Sequence, residues 1–314
     1  MTNRTWLGGK GGNQANLATN WSPNGAPQPG DALEISHGTM NVTGNPLWAD
    51  ELAVTGNATV NIRNSSGDHL RIGVPGPKTI NATVNLTNTY DIHIAQGYDN
   101  LKVNASGVNT LDLTTLPGRG VNGSVEIHNS GRLIGRVSNW GETVRIDGGT
   151  FYNQPGSSAG RDGNVTVVNA RVAGIGDWTL GTYHAPYGKL EFMQAVEASQ
   201  TVHLESGVGY GVLQIDQPST FRANVKWESD KSAIDLNKLA ADSYKYNPAA
   251  GALDFYSGNR IVDTLRIDPS PAADSPTGPY TVAQGTSTGG AGIEIYSKNA
   301  GFMIPHGSDL PMHA

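Results

Sequence analysis

The chain has 314 residues, a net charge of -6 and no cysteine, and only 15% of its residues are charged. The negative charge and the lack of a Lys/Arg cluster argue against nucleic acid or an anionic membrane as a partner. Without cysteine, disulfides, thiol nucleophiles and thiolate metal sites are excluded. The 41 glycines and the apolar residues in short bursts favour strands and turns over helices.

No apolar run is long enough to cross a bilayer as a helix, so the sequence predicts no transmembrane segment. The first residues, from Met1 to Trp6, lack the apolar core of a secretory signal. We therefore expect that a leader has been removed or that an export signal lies elsewhere.

The first segment, residues 1–31, is rich in Trp, Gly and Pro. We interpret it as an N-terminal cap in which Trp6 and Trp21 cover the apolar start of the strand-rich region that follows. Such a cover is expected because the first coil of a stacked repeat otherwise exposes an open sheet end and an apolar cross-section.

Apolar-polar-apolar triplets recur through residues 32–228, and this period of 2 is the pattern of a strand with one buried face. Neighbouring triplets are mostly about 20 residues apart, which is the length of one coil of a stacked repeat. The main series comprises Leu33-Glu34-Ile35, Leu52-Ala53-Val54, Leu70-Arg71-Ile72, Ile92-His93-Ile94, Leu111-Asp112-Leu113, Val125-Glu126-Ile127, Val144-Arg145-Ile146, Val165-Thr166-Val167, Leu190-Glu191-Phe192 and Leu213-Gln214-Ile215. Further triplets between them include Val60-Asn61-Ile62, Val84-Asn85-Leu86, Leu101-Lys102-Val103 and Val202-His203-Leu204.

Two or three short strands per period predict an all-β fold, a right-handed parallel β-helix (β-solenoid), over residues 32–228. Gly and Asn at the expected corners, as in Asp147-Gly148-Gly149, tolerate the positive φ that such corners need. The alternative is an antiparallel β-sandwich, which also uses short strands and Gly-rich turns but does not need so regular a period.

The last region, residues 229–314, breaks the pattern, and we interpret it as a C-terminal cap or small accessory β module. A short helix is expected at residues 233–239. The strand candidates that follow it are Leu253-Asp254-Phe255, Leu265-Arg266-Ile267 and Ile293-Glu294-Ile295.

The opening motif is Trp6-x-Gly8-Gly9, then Asn20-Trp21-Ser22-Pro23-x-Gly25-x-Pro27, then Gly30-Asp31. It resembles the start of bacterial secreted β-solenoid and autotransporter-passenger-like surface proteins. Stretches of the last region, such as Thr264-Leu265-Arg266-Ile267, are similar to the closing segments of such proteins. The resemblance implies secretion and a β-helix, and it carries no catalytic residues. The sequence departs from it in having neither glycine-aspartate nonapeptide repeats nor a following membrane barrel, which leaves the export route open.

A group of aromatic residues is the candidate binding site, because exposed aromatic faces stack on sugar rings. The alternative is that these rings pack a protruding loop onto the solenoid. The candidate glycan-binding residues are Trp140, Tyr152, Trp178, Tyr183 and Tyr187.

Catalytic and metal-binding patterns are weak. The string Gly156-Ser157-Ser158-Ala159-Gly160 matches the G-x-S-x-G motif of serine hydrolases, but no strand-turn-helix context surrounds it. Asp147, Asp162 and Asp177 are typical of turns, and the histidines lack metal-ligand spacing. We predict no catalytic residue, no metal site and no cofactor, and no motif supports calcium. Sequons such as Asn41-Val42-Thr43 are interpreted as parts of asparagine ladders.

These observations predict an extracellular, non-enzymatic scaffold or adhesin, secreted and associated with the bacterial surface or biofilm matrix. Its partners would be glycans, other surface proteins or copies of itself. One alternative is a polysaccharide lyase or hydrolase, or a phage-tail depolymerase, on the same fold. Another is a self-assembling filament subunit.

Overall fold

The computed structural model describes residues 2–9, 12–44, 51–64, 71–72, 81–90, 92–95, 100–114, 124–139, 143–160, 164–181, 187–204, 210–227, 232–268, 280–287 and 290–297. In these ranges the chain is an all-β parallel β-helix, a β-solenoid of about seven turns. It contains no α-helix there, only the short 3-10 turns Ala18–Asn20 and Pro218–Thr220. The predicted fold class is confirmed.

Two compact units divide the chain, residues 1–152 and residues 153–314. The strands that lie in the first unit or reach its end are β1 (Asn3–Trp6), β2 (Trp21–Ser22), β3 (Ala32–Thr43), β4 (Glu51–Arg63), β5 (Arg71–Ile72), β6 (Asn81–Thr87), β7 (Ile92–Ala95), β8 (Asn100–Ser106), β9 (Val108–Thr114), β10 (Ser124–Asn129), β11 (Arg132–Asn139), β12 (Thr143–Asp147) and β13 (Thr150–Asn153).

The strands of the second unit are β14 (Ser157–Gly160), β15 (Asn164–Val168), β16 (Arg171–Ala173), β17 (Asp177–Gly181), β18 (Tyr187–Phe192), β19 (Thr201–Leu204), β20 (Tyr210–Ile215), β21 (Asn224–Trp227), β22 (Ala233–Leu236), β23 (Ser243–Asn247), β24 (Ala252–Ser257), β25 (Arg260–Asp268), β26 (Tyr280–Ser287) and β27 (Gly290–Ser297).

The first unit is built on two parallel ladders. One joins β3, β4, β5, β7, β9 and β11. The other joins β3, β4, β6, β8, β10 and β12. The long strands β3 and β4 serve both ladders, and their pairing register shifts between Ile35 and His37. This parallel pairing excludes the antiparallel sandwich for the described strands of the first unit, because each parallel pair needs a full coil of chain between its members.

Inward side chains of each ladder form continuous apolar columns. In the second ladder the registered column is Met40, Val60, Val84, Val103, Ile127 and Ile146. All six are at most 1% exposed. The alternation seen in the sequence therefore marks the buried face, as predicted, and burial of these side chains against the next coil is the main stabilising term.

The N-terminal segment lies against the first coil. Strand β1 pairs in parallel with β3 and antiparallel with β2, so it covers part of the free edge of β3. Trp6 and Trp21 are both 1% exposed and pack edge to face with ring centroids 5.2 Å apart. Arg4 Nε lies 2.6 Å from Asp31 Oδ2, and this hydrogen bond is the main cause that lowers the pKa of Asp31.

The second unit also contains two parallel ladders, β15–β18–β20–β22 and β14–β17–β19–β21. One further strand then pairs with the end of each ladder, β25 in parallel with β21 and β27 antiparallel with β22. Strand β25 lies at the end of the β23–β24–β25 sheet, and β27 belongs to hairpin β26–β27.

The helix expected at residues 233–239 is wrong, because residues 233–236 form strand β22 between β20 and β27. Ile234 and Leu236 alternate with the outward Asp235, which is the period of a strand. The three strand candidates that follow are confirmed as parts of β24, β25 and β27.

Several corners adopt the left-handed conformation expected from their residues. Asn64 has φ 49°, Gly107 has φ 73°, and Gly148 and Gly149 have φ 85° and 65°. None of the helical segments in the described ranges has the length and apolar character needed to cross a membrane.

Candidate ligand-binding groove

The outward face of the second ladder in the first unit carries an asparagine ladder, which we define as Asn41, Asn61, Asn85 and Asn104. Asn61, Asn85 and Asn104 each donate from the side-chain amide to the side-chain carbonyl oxygen of the preceding asparagine in the ladder. The three distances are 2.7 Å, 2.6 Å and 2.7 Å. The members lie 20, 24 and 19 residues apart, one coil each. This confirms the interpretation of the Asn41 sequon as a ladder position, and these side chains use their hydrogen bonds within the protein.

A groove of about 470 Å³ crosses the same ladder two residues before the asparagines. One row of its lining residues runs across four consecutive strands: Thr59 on β4, Thr83 on β6, Lys102 on β8 and Glu126 on β10, each in register with the next. Asn57, Ala58, Ala82, Leu101 and Ser124 complete the described lining. The solenoid register alone thus aligns two hydroxyls, one ammonium group and one carboxylate along one groove.

Three of the four side chains in this row are unpaired, whereas the asparagine ladder is hydrogen-bonded throughout. Within the described part of the chain, the side chains of Thr59, Thr83 and Lys102 make no hydrogen bond or ion pair, and Lys102 is exposed. The carboxylate of Glu126 lies 3.5 Å from His128 Nε2 and is about half exposed. Lys102 and Glu126 are cross-strand neighbours, yet the structure records no ion pair between them. The row therefore presents the free hydroxyls of Thr59 and Thr83 beside the free ammonium group of Lys102.

The aromatic residues expected to bind glycans do not form one described surface. Trp178 is fully buried and packs edge to face on Phe192 at 5.6 Å, so its role as an exposed stacking ring is wrong. Tyr152 is half-buried, and the Arg132 guanidinium lies over its ring at 3.8 Å. Trp140, Tyr183 and the side chain of Tyr187 lie outside the described residues.

The weaker sequence motifs fall in ordinary strand and corner positions. Ser158 lies inside β14, in register with Thr179 on a parallel strand, and not at a strand-to-helix turn. Asp177 accepts a hydrogen bond from the backbone of Gly156, and Asp147 pairs with Arg145 at 3.1 Å. Asp162 lies outside the described residues. No cluster of three His, Asp or Glu suited to a metal ion occurs among the side chains that the structure describes.

No sequence motif marks the groove. The signal present in the sequence is the recurrence of Thr at outward strand positions, Thr59 and Thr83, beside the asparagines of the same triplets. Only the register between coils shows that Lys102 and Glu126 continue that row.

No family model matches the chain, and neither a curated protein nor a solved structure matches it.

Proposed function

We propose that this chain is an extracellular, non-enzymatic scaffold or adhesin of the bacterial surface or biofilm matrix, and that its groove binds a glycan. The observation that carries this proposal is the contrast within one face of the first unit. The asparagine ladder makes its hydrogen bonds to neighbouring coils, whereas Thr59, Thr83 and Lys102 keep their polar groups available beside Glu126.

The chemistry of the row suits a neutral, polyhydroxylated chain. Sugar hydroxyls both donate and accept hydrogen bonds, so they match an ammonium donor, a carboxylate acceptor and two hydroxyls set side by side. Because Lys102 and Glu126 balance each other in charge, the row favours a neutral glycan over a strongly anionic one. Successive coils repeat at the strand spacing of about 4.8 Å, which gives a regular set of contacts along an extended chain.

The groove argues against the polysaccharide-cleaving alternative. Glycoside hydrolysis uses two carboxyl groups that flank the scissile bond. Among the described residues that line the groove, Glu126 is the single carboxylate. The row therefore offers binding groups but not an acid and base pair.

The secreted or cell-surface location rests on the N-terminal resemblance from Trp6 to Asp31. A fold that stacks polar ladders on its outer face without cysteine is compatible with that location. Immunolabelling of intact bacterial cells that express the chain natively tests this part. Signal confined to permeabilised cells would contradict it.

The binding claim is tested by titrating the purified chain with neutral, uronate-containing and amino-sugar oligosaccharides. We expect the neutral class to bind, and Lys102→Met and Glu126→Gln each to weaken binding about tenfold, the effect of one charged hydrogen bond. Lys226→Met is the matched control, because Lys226 is an exposed strand lysine of the second unit. Equal affinity of all three variants and the parent, or no binding of any class, would overturn the groove as a glycan site.

A further inference from the structure

Within the second unit, hairpin β26–β27 meets strand β22 through a seam with two different faces. Strand β27 pairs antiparallel with β22, and the registered inward pairs are Ile234 with Ile295 and Leu236 with Ile293. These four side chains are at most 3% exposed. On the other face, Asp235 stands directly opposite Glu294. Like charges directly opposite each other on neighbouring strands are destabilising, so this face opposes the pairing that the apolar face favours.

Among the described neighbours of Asp235 on its other side, Lys189 alone offsets part of this repulsion. Gln214 is its registered partner on β20, but the Gln214 amide donates to Glu191 Oε1 and Asp216 Oδ1, each at 2.9 Å. Lys189 Nζ lies 3.2 Å from Glu191 Oε2 and is engaged there. Asp235 Oδ1 is itself buried and has no hydrogen-bond partner. Among the described residues, the charged groups that act on Asp235 are Glu294 on β27, Asp216 after β20, and Glu191 and Lys189 on β18.

We propose that the pairing of hairpin β26–β27 with β22 is a proton-controlled closure. A proton on Asp235 removes the charge opposite Glu294 and lets the apolar pairs hold the hairpin closed. When both carboxylates are ionised, their repulsion weakens the seam and the hairpin opens more often.

The electrostatics of the site support this direction. The pKa of Asp235 is raised from 3.8 to about 6, chiefly by burial and next by repulsion from Glu294. Asp216 and Glu191 also raise this pKa, and Lys189 lowers it. A carboxyl group whose pKa is higher in the closed state binds more protons there than when the hairpin is open. The closed state is therefore favoured fully below about pH 4, and this advantage is lost as the pH rises through about 6.

Hydrogen exchange of the β27 amides, followed by mass spectrometry on the full chain, tests the closure. Between pH 4.5 and pH 8 we expect the protection factor of residues 290–297, corrected for intrinsic exchange, to fall about tenfold, a value discounted for the partial exposure of Asp235. In Asp235→Asn this fall should be absent, and in Glu294→Gln it should be smaller, because the repulsion has been removed.

Two controls separate closure from general instability. The amides of β24 should show no such difference between the parent and Asp235→Asn. Asp254→Asn, which removes a carboxylate from β24 in the same unit, should keep the parental fall in β27. If the parent and Asp235→Asn lose β27 protection equally, or if parental protection rises with pH, the proposal is overturned. If Asp235→Asn does not fold, Glu294→Gln decides the question by the same comparison.

Discussion

At the scale of single residues, Asn85 is the centre of the asparagine ladder. It donates to Asn61 at 2.6 Å and accepts from Asn104 at 2.7 Å. Asn85→Ala removes two hydrogen bonds from a partly buried face, so we expect the free energy of unfolding to fall by about 1–3 kcal/mol. Chemical denaturation measures this. Thr83→Ala, on the same strand and face, is the control and should change it by less than about 0.5 kcal/mol. Equal losses in the two variants would show that the ladder does not stabilise the coils.

Trp178 and Tyr152 give a second test at the residue scale. Because Trp178 is fully buried against Phe192, Trp178→Ala should cost about 3–5 kcal/mol of unfolding free energy. Tyr152→Ala removes a half-buried ring with a cation-π contact to Arg132 and should cost about 1 kcal/mol. Thermal and denaturant melts of both variants check this order, and a mild effect of Trp178→Ala would contradict its role in the core.

At the scale of elements, the N-terminal segment makes a sharp prediction. Trp21 is buried against Trp6 and donates from Nε1 to the carbonyl of Ala15 at 2.7 Å. We expect Trp21→Ala to lower the free energy of unfolding by about 3–5 kcal/mol.

Deletion of residues 1–30 also uncovers the edge of β3, which is a pairing surface. That deletion should produce aggregates or end-to-end oligomers while circular dichroism stays β-rich.

Light scattering and circular dichroism on the deletion variant decide between two roles of this segment. A variant that stays monomeric and melts at the parental temperature would show that the segment is a tether or binding arm. If the parent already polymerises and the deletion variant does not, the segment joins one subunit to the next.

Strand elements were predictable where local alternation sufficed. Leu33-Glu34-Ile35 and its repeats show which side chains face inward, and burial confirms it. The error at residues 233–239 arose because the partners of β22 come from distant β20 and β27, which local composition does not reveal. Trp178 was assigned to the surface as part of an aromatic cluster, although Trp178-Thr179-Leu180 follows the inward-outward-inward alternation of β17.

At the scale of the whole molecule, the sequence predicted the coil architecture but not the candidate site. The period of the triplets is a local property of the chain, so the sequence alone predicts it. The groove depends on the register between coils, which places Thr59, Thr83, Lys102 and Glu126 in one row. No local signal specifies that register, because it is chosen by the packing of the inward columns on one another.

We propose that this β-helix binds a glycan without cleaving it. The most direct test passes neutral and acidic polysaccharides over a column of the immobilised chain and measures which of them are retained. New reducing and unsaturated ends are then counted over time after incubation with the purified chain. We expect the parent to retain a neutral polysaccharide, Lys102→Met to lose that retention, and neither sample to produce new ends. If new ends form in proportion to the amount of parent protein, and form no longer with Glu126→Gln, glycan binding without cleavage is contradicted and the groove belongs to an enzyme.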